Sequence, residues 1–226
     1  MDANRTSVME KAVYRAVEHL ERNNMKAMYV PTAEAAAAAV QDLLEEECTI
    51  AFGGSMTLQE AGVIDMVRQG RYNLIDRYEP GLTAEELHAR FIKACSADVF
   101  LTGVNAVTEH GELYNVDCVC NRVAPMLFGP RKVIIVTGWQ KIVPTLQDAV
   151  NRVKRIAGPA NAKRLNRDAP CIETGLCVVP QFHEKHLMSI PVGACDAAVC
   201  CSMVVMGRQH VKNRVHVVIA GEMLGY

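Results

Sequence analysis

Short apolar runs alternate with amphipathic stretches along most of the chain, and no other feature restricts the fold as much. Residues 25–30, 50–52, 72–75, 98–102, 132–136 and 215–220 are strand-sized runs rich in Val, Ile, Leu, Phe and Ala. Helical spacing fills the intervals at residues 7–23, 34–46, 58–68, 83–94, 121–127 and 145–156. Strands that alternate with helices predict an α/β fold, Rossmann-like, with a mostly parallel sheet and helices on both faces. Residues 106–108 and 113–115 flank His110-Gly111, which predicts an inserted β-hairpin. Gly158-Pro159 is read as a helix stop, and residues 159–205 as an irregular, cysteine-containing segment within a single domain spanning 1–226.

Charge narrows the function. Lys and Arg total 24 against 25 Asp and Glu, so the basic excess expected of a nucleic-acid binder is missing. Arg152, Lys154, Arg155, Lys163, Arg164 and Arg167 are locally dense, either as a solvated helix face or as a rim that attracts an anion. No run approaches the roughly 18 uncharged apolar residues of a membrane span, and no apolar segment follows the polar residues 1–5, so a cytoplasmic protein is expected. Nine cysteines in that compartment are read as free thiols or metal ligands.

Four segments carry candidate binding chemistry. Gly53-Gly54-Ser55-Met56-Thr57 joins a buried strand to a helix, where unpaired N–H groups and the helix dipole favour a phosphate or carboxylate. It is neither a Walker A loop nor a GxGxxG fingerprint. Gly103, Asn105 and Thr108 lie in a second loop just past a strand end, the edge at which α/β sheets gather ligands. Asp117, Asn121 and Arg122 precede a helix; Arg122 is a candidate bidentate anion fork, and Asp117 a candidate base or orienting group. Lys141 follows the strand at 132–136 and is placed to neutralise an anion beside Trp139. Each loop read alone is also an ordinary structural turn, and Lys141 an ordinary surface lysine. Glu60, one turn into the helix after the first loop, is a candidate carboxylate base or nucleophile, or simply a solvated helix residue.

Cys171, Cys177, Cys195 and Cys200 form a candidate zinc or iron–sulfur set, with Cys201, His183 and His186 in the same stretch. Their spacing follows no standard ferredoxin or zinc-ribbon pattern, so ordinary reduced cysteines stand as the alternative. No Ser/His/Asp set or GxSxG elbow supports hydrolase chemistry.

Gly53-Gly54-Ser55-Met56-Thr57, the segment from Thr102 to Thr108, Gly111-Glu112-Leu113, Asn121-Arg122-Val123-Ala124, Phe128-Gly129-Pro130-Arg131, Lys141-Ile142-Val143 and Leu224-Gly225-Tyr226 occur in order over nearly the whole chain. Together they resemble the LUD domain family of lactate utilization protein C and its relatives. The resemblance implies a fold like the NagB/RpiA/CoA-transferase group, whose members bind sugar phosphates, CoA esters or folates. It implies an accessory ligand-binding or redox role in bacterial oxidation of L-lactate, or a related organic acid, to pyruvate, with iron–sulfur partner proteins. An isomerase- or transferase-type enzyme and a metal- or cluster-binding interaction module are the alternatives, and a homo-oligomer stays open. Cys120 stands where relatives often carry Gly, Gln140 where they often carry Asn, and residues 178–194 look like an insertion between Cys177 and Cys195.

Overall fold

The computed structural model describes residues 2–179, 195 and 197–226. Its larger sheet has the order β1 (Lys26–Val30), β10 (Val215–Ala220), β7 (Lys132–Gly138), β4 (Val99–Thr102), β2 (Thr49–Phe52) and β3 (Asn73–Ile75). Every pairing in it is parallel.

The strand sequences explain this. Along β7, Val133 and Ile135 join the core cluster that contains Met9, Val13, Ala16 and Leu20 of α1 (Ala3–Arg22). The intervening Ile134 and Val136 join the cluster with Ala33, Ala36 and Val40 of α2 (Ala33–Asp42). Both faces of the strand are thus covered, which is why it reads as an unbroken apolar run. Thr32 caps α2 by accepting from the Ala35 N–H, and a Thr83–Glu86 capping box opens α5 (Ala84–Ala94), so side-chain oxygens satisfy these helix starts.

The expected hairpin is present but belongs to a second sheet. β5 (Ala106–Thr108) pairs antiparallel with β6 (Leu113–Asp117). β8 (Ile142–Val143) and β9 (Ser202–Met206) extend it to the order β8-β5-β6-β9.

Three expectations are corrected. The helix expected over 58–68 is two short helices, α3 (Met56–Glu60) and α4 (Val63–Gln69), because the chain turns through Gly62 at φ 69°. Gly158-Pro159 does not end a helix. α7 (Leu146–Arg152) passes through a π turn at Val153–Ala157 into α8 (Gly158–Arg164). Pro159 falls in the first turn of α8, where a missing N–H costs least, and the π turn takes up the change of register. The described part of 159–205 is also more regular than expected, since it carries most of α8, α9 (Cys171–Thr174) and most of β9. The short helix near 121–127 is α6 (Val123–Leu127). Among the described residues, no helix is long and apolar enough to cross a membrane.

Because the large sheet is parallel, the carboxyl ends of β2, β3, β4, β7 and β10 all emerge at one edge. The loops beginning at Gly53, Asp76, Gly103, Trp139 and Gly221 leave from that edge, the usual ligand position in open α/β sheets.

Candidate functional site

These loops enclose a cavity of about 140 Å³. Gly54, Ser55 and Thr57 line it from the loop after β2, Gly103 and Asn105 from the loop after β4, and Asp117, Asn121 and Arg122 from the end of β6 and the turn before α6. Lys141 reaches it from the turn after β7. Ser55 and Gly103 approach so closely that a Cβ at residue 103 would stand 2.6 Å from Ser55 Oγ and would push that oxygen off the Leu58 N–H from which it accepts.

Arg122 ties the walls together. Nε donates to Asp117 Oδ1 at 2.9 Å, and Nη1 to the Gly103 carbonyl at 3.1 Å and Asn115 Oδ1 at 2.7 Å. Nη2 donates to Asn105 Oδ1 at 2.8 Å and the Val116 carbonyl at 3.1 Å. Five acceptors meet the five N–H donors of a guanidinium. Arg122 is therefore not a free fork for a ligand, as the sequence suggested, but the buried bolt that holds three segments in register. Asp117 is equally committed. Its Oδ2 accepts from the Arg122 and Val123 N–H groups at 3.1 and 3.0 Å, which caps α6 and leaves an orienting role in place of a base.

Lys141 and the last residues form the opposite wall. Lys141 is 2% exposed, and Nζ donates to Thr57 Oγ1 at 2.8 Å. The Thr57 hydroxyl in turn donates to the Leu224 carbonyl at 3.2 Å. Gln140 Nε2 holds the Leu224 and Gly225 carbonyls, and Glu60 Oε2 accepts from the Gly225 N–H at 2.6 Å. Glu60 therefore lies behind the cavity wall as a bracket for residues 224–226. Gly225 adopts φ 58°, and a Cβ there would lie 2.6 Å from Thr57 Oγ1. Burial, then Arg152 and Arg122, push the Lys141 ammonium down from 10.5 to about 7, with Glu60 opposing.

Three side chains that the sequence reading did not assign to the site complete the lining. Arg77, just past β3, stacks over Phe91 at 4.7 Å and Tyr78 at 5.5 Å. No hydrogen bond or ion pair engages its guanidinium among the described residues, and burial lowers its pKa. Asn161 comes from α8, where its Oδ1 accepts from Arg164 Nη2 at 2.7 Å. Tyr226 brings a hydroxyl whose pKa burial raises, with Arg164 opposing. Arg164, noted in the sequence only within the basic run, lines the cavity too.

A model of the LUD domain matches residues 13–220. The chain belongs to the LUD domain family. A DUF162 family protein from Deinococcus radiodurans has a similar fold, with a TM-score of 0.52 at 15% identity over 94% of this chain and 98% of the other. The eIF2B beta structure from Chaetomium thermophilum aligns with 50% of this chain and 43% of its own, at a TM-score of 0.37 and 14% identity. No curated protein matches.

Not every expected residue of this LUD domain meets in the cavity. Gly53 sits behind the wall, packed on Thr102 and Arg122, with its N–H on the Leu101 carbonyl. Thr108 ends β5, where its hydroxyl bonds Glu112 across the hairpin turn. The dipole argument for the first loop weakens as well, because α3 has only five residues.

Cys171, Cys177, Cys195 and Cys200 share a separate apolar recess of about 30 Å³. Lys154 Nζ contacts Cys200 Sγ there at 3.4 Å. Among the described residues, no three His, Cys, Asp or Glu side chains are grouped closely enough to hold a metal ion. Burial and the neighbouring cysteines raise the Cys171 thiol pKa. The four cysteines as placed do not form a preassembled zinc or iron–sulfur cage. His183 and His186 lie outside the described residues.

Proposed function

We propose that this LUD domain binds a small organic anion of the lactate and pyruvate size class, as the ligand-binding component of an organic-acid oxidation system. The observation that carries this reading is the imbalance of charge in the cavity. Among the described residues, Arg77, Arg122 and Arg164 line it against one carboxylate, Asp117, which is already paired with Arg122. A desolvated guanidinium without a carboxylate partner favours an incoming anion, and a planar fork suits a carboxylate best. Arg77 is in that position, backed by two aromatic rings. Tyr226 adds a polar hydroxyl to the lining, and the cavity of about 140 Å³ has room for a small organic anion.

The link to lactate rests on family membership, and iron–sulfur partner proteins are part of the same proposal. A thermal-shift panel of lactate, pyruvate, sugar phosphates, CoA and folates tests it. Stabilisation by the small carboxylates, and not by the large ligands, is the expected result. Stabilisation only by CoA or a folate would point to transferase chemistry, and no response to any of them would remove the pocket reading.

A further inference from the structure

Anion binding alone does not use the chemistry of Lys141. Its side chain is buried yet borders the cavity. Its one hydrogen-bond partner among the described residues is the neutral Thr57 hydroxyl. The Thr57 proton is committed to the Leu224 carbonyl, so this contact consumes an N–H of Lys141 and leaves the nitrogen lone pair unbound by Thr57. Buried Arg122 and Arg152 stand near, and both work with burial against a third positive charge. A lysine held this way keeps a large neutral fraction near pH 7, and a neutral amine is a nucleophile toward carbonyl carbon.

We infer that Lys141 forms an imine with the carbonyl group of a small anionic aldehyde or ketone held in this pocket. This role rests on the anion-binding reading, because the cationic lining is what brings the carbonyl compound to the amine. Lys141 and the arginines line one cavity, so a small molecule that carries both a carbonyl and an anionic group can meet both. The nitrogen lone pair forms a bond to the carbonyl carbon while the C=O π electrons move to oxygen. The proton lost from nitrogen compensates the one gained by oxygen. A second proton on that oxygen lets it leave as water, as the nitrogen gives up its remaining proton and the C=N bond closes. Amine and carbonyl become imine and water, with no change of oxidation state.

The test uses the full chain with glyoxylate and, separately, glycolaldehyde phosphate, each with cyanoborohydride to reduce any imine, followed by peptide mapping. Lys141 should carry the reduced adduct at least about tenfold above any surface lysine, because surface amines are almost wholly protonated at pH 7. Excess oxalate, an anion without a reactive carbonyl, should suppress the labelling. Mapping on the unaltered protein needs no variant, and Lys141→Met, checked for folding by circular dichroism, should lose the adduct. Thermal stabilisation by oxalate with no adduct, or with adducts spread over surface lysines, would overturn the imine and leave anion binding intact. No stabilisation and no adduct would overturn both.

Discussion

Arg122 and Asp117 form a buried ion pair, Nη2 to Oδ1 at 2.7 Å, and the pair joins the β4 loop, the end of β6 and the start of α6. Both partners are nearly excluded from water. Removing one leaves the other as an uncompensated buried charge, at a cost of about 3–5 kcal/mol. Arg122→Ala is therefore expected to lower unfolding free energy by that order in urea titration. A loss of anion affinity with unchanged stability would show that Arg122 serves the ligand instead.

Arg77 should behave in the opposite way. Its guanidinium has no hydrogen bond or ion pair among the described residues and lines the cavity. A hydrogen bond to a charged group contributes about 1.5–3 kcal/mol, so Arg77→Gln should weaken carboxylate binding roughly 10- to 100-fold. Calorimetric titration measures the affinity, and the urea midpoint should move little by comparison. Equal affinity in the two proteins would place the anion elsewhere.

Gly225 is the residue whose replacement should disturb the wall without touching a charge. At φ 58°, a Cβ would meet both Thr57 Oγ1 and the Thr57 N–H. Gly225→Ala is expected to cost about 1–3 kcal/mol or to push residues 224–226 outward. Faster limited proteolysis near residue 225 and a weaker anion response would register that displacement.

Lys141 predicts a pH dependence. The unfolded chain keeps the Lys141 proton up to about 10.5, whereas the folded protein releases it near 7. Between these values the unfolded state binds more protons, so stability rises with pH across that window, and the whole gain has gone once pH has fallen to about 7. The groups acting on the amine are Arg152 and Arg122, which lower its pKa, and Glu60, which raises it. Relative to Lys141→Met, the wild-type protein should show an added positive slope of at most about 1.4 kcal/mol per pH unit across that window. Parallel curves for the two proteins would mean that Lys141 stays charged.

Much of this architecture was legible because burial on both faces leaves continuous apolar runs such as 132–136, and because glycines mark the strand ends at 53 and 103. The edge shared by the loops followed from parallel pairing. The role of Arg122 was not legible, since two of its five acceptors are the backbone carbonyls of Gly103 and Val116, which periodicity cannot place. Arg77 was hidden in a polar loop between Asp76 and Tyr78, although its position two residues beyond the end of β3 carried a strand-end signal like that of Gly53. Gly158-Pro159 misled because a π turn can absorb a proline that would end an ordinary helix. Tyr226 enters the cavity only because Glu60, Thr57 and Gln140 hold the residues before it.

The most direct test is a crystal structure of the protein soaked with lactate or oxalate. The carboxylate should sit in the cavity against the Arg77 guanidinium and within reach of Lys141 Nζ, with the Arg122 bonds to Asp117 and Asn105 intact. A carboxylate bound only on the outer surface, or one that binds by pulling Arg122 away from Asp117, would contradict a pocket held open by Arg122, charged by Arg77 and bordered by the Lys141 amine.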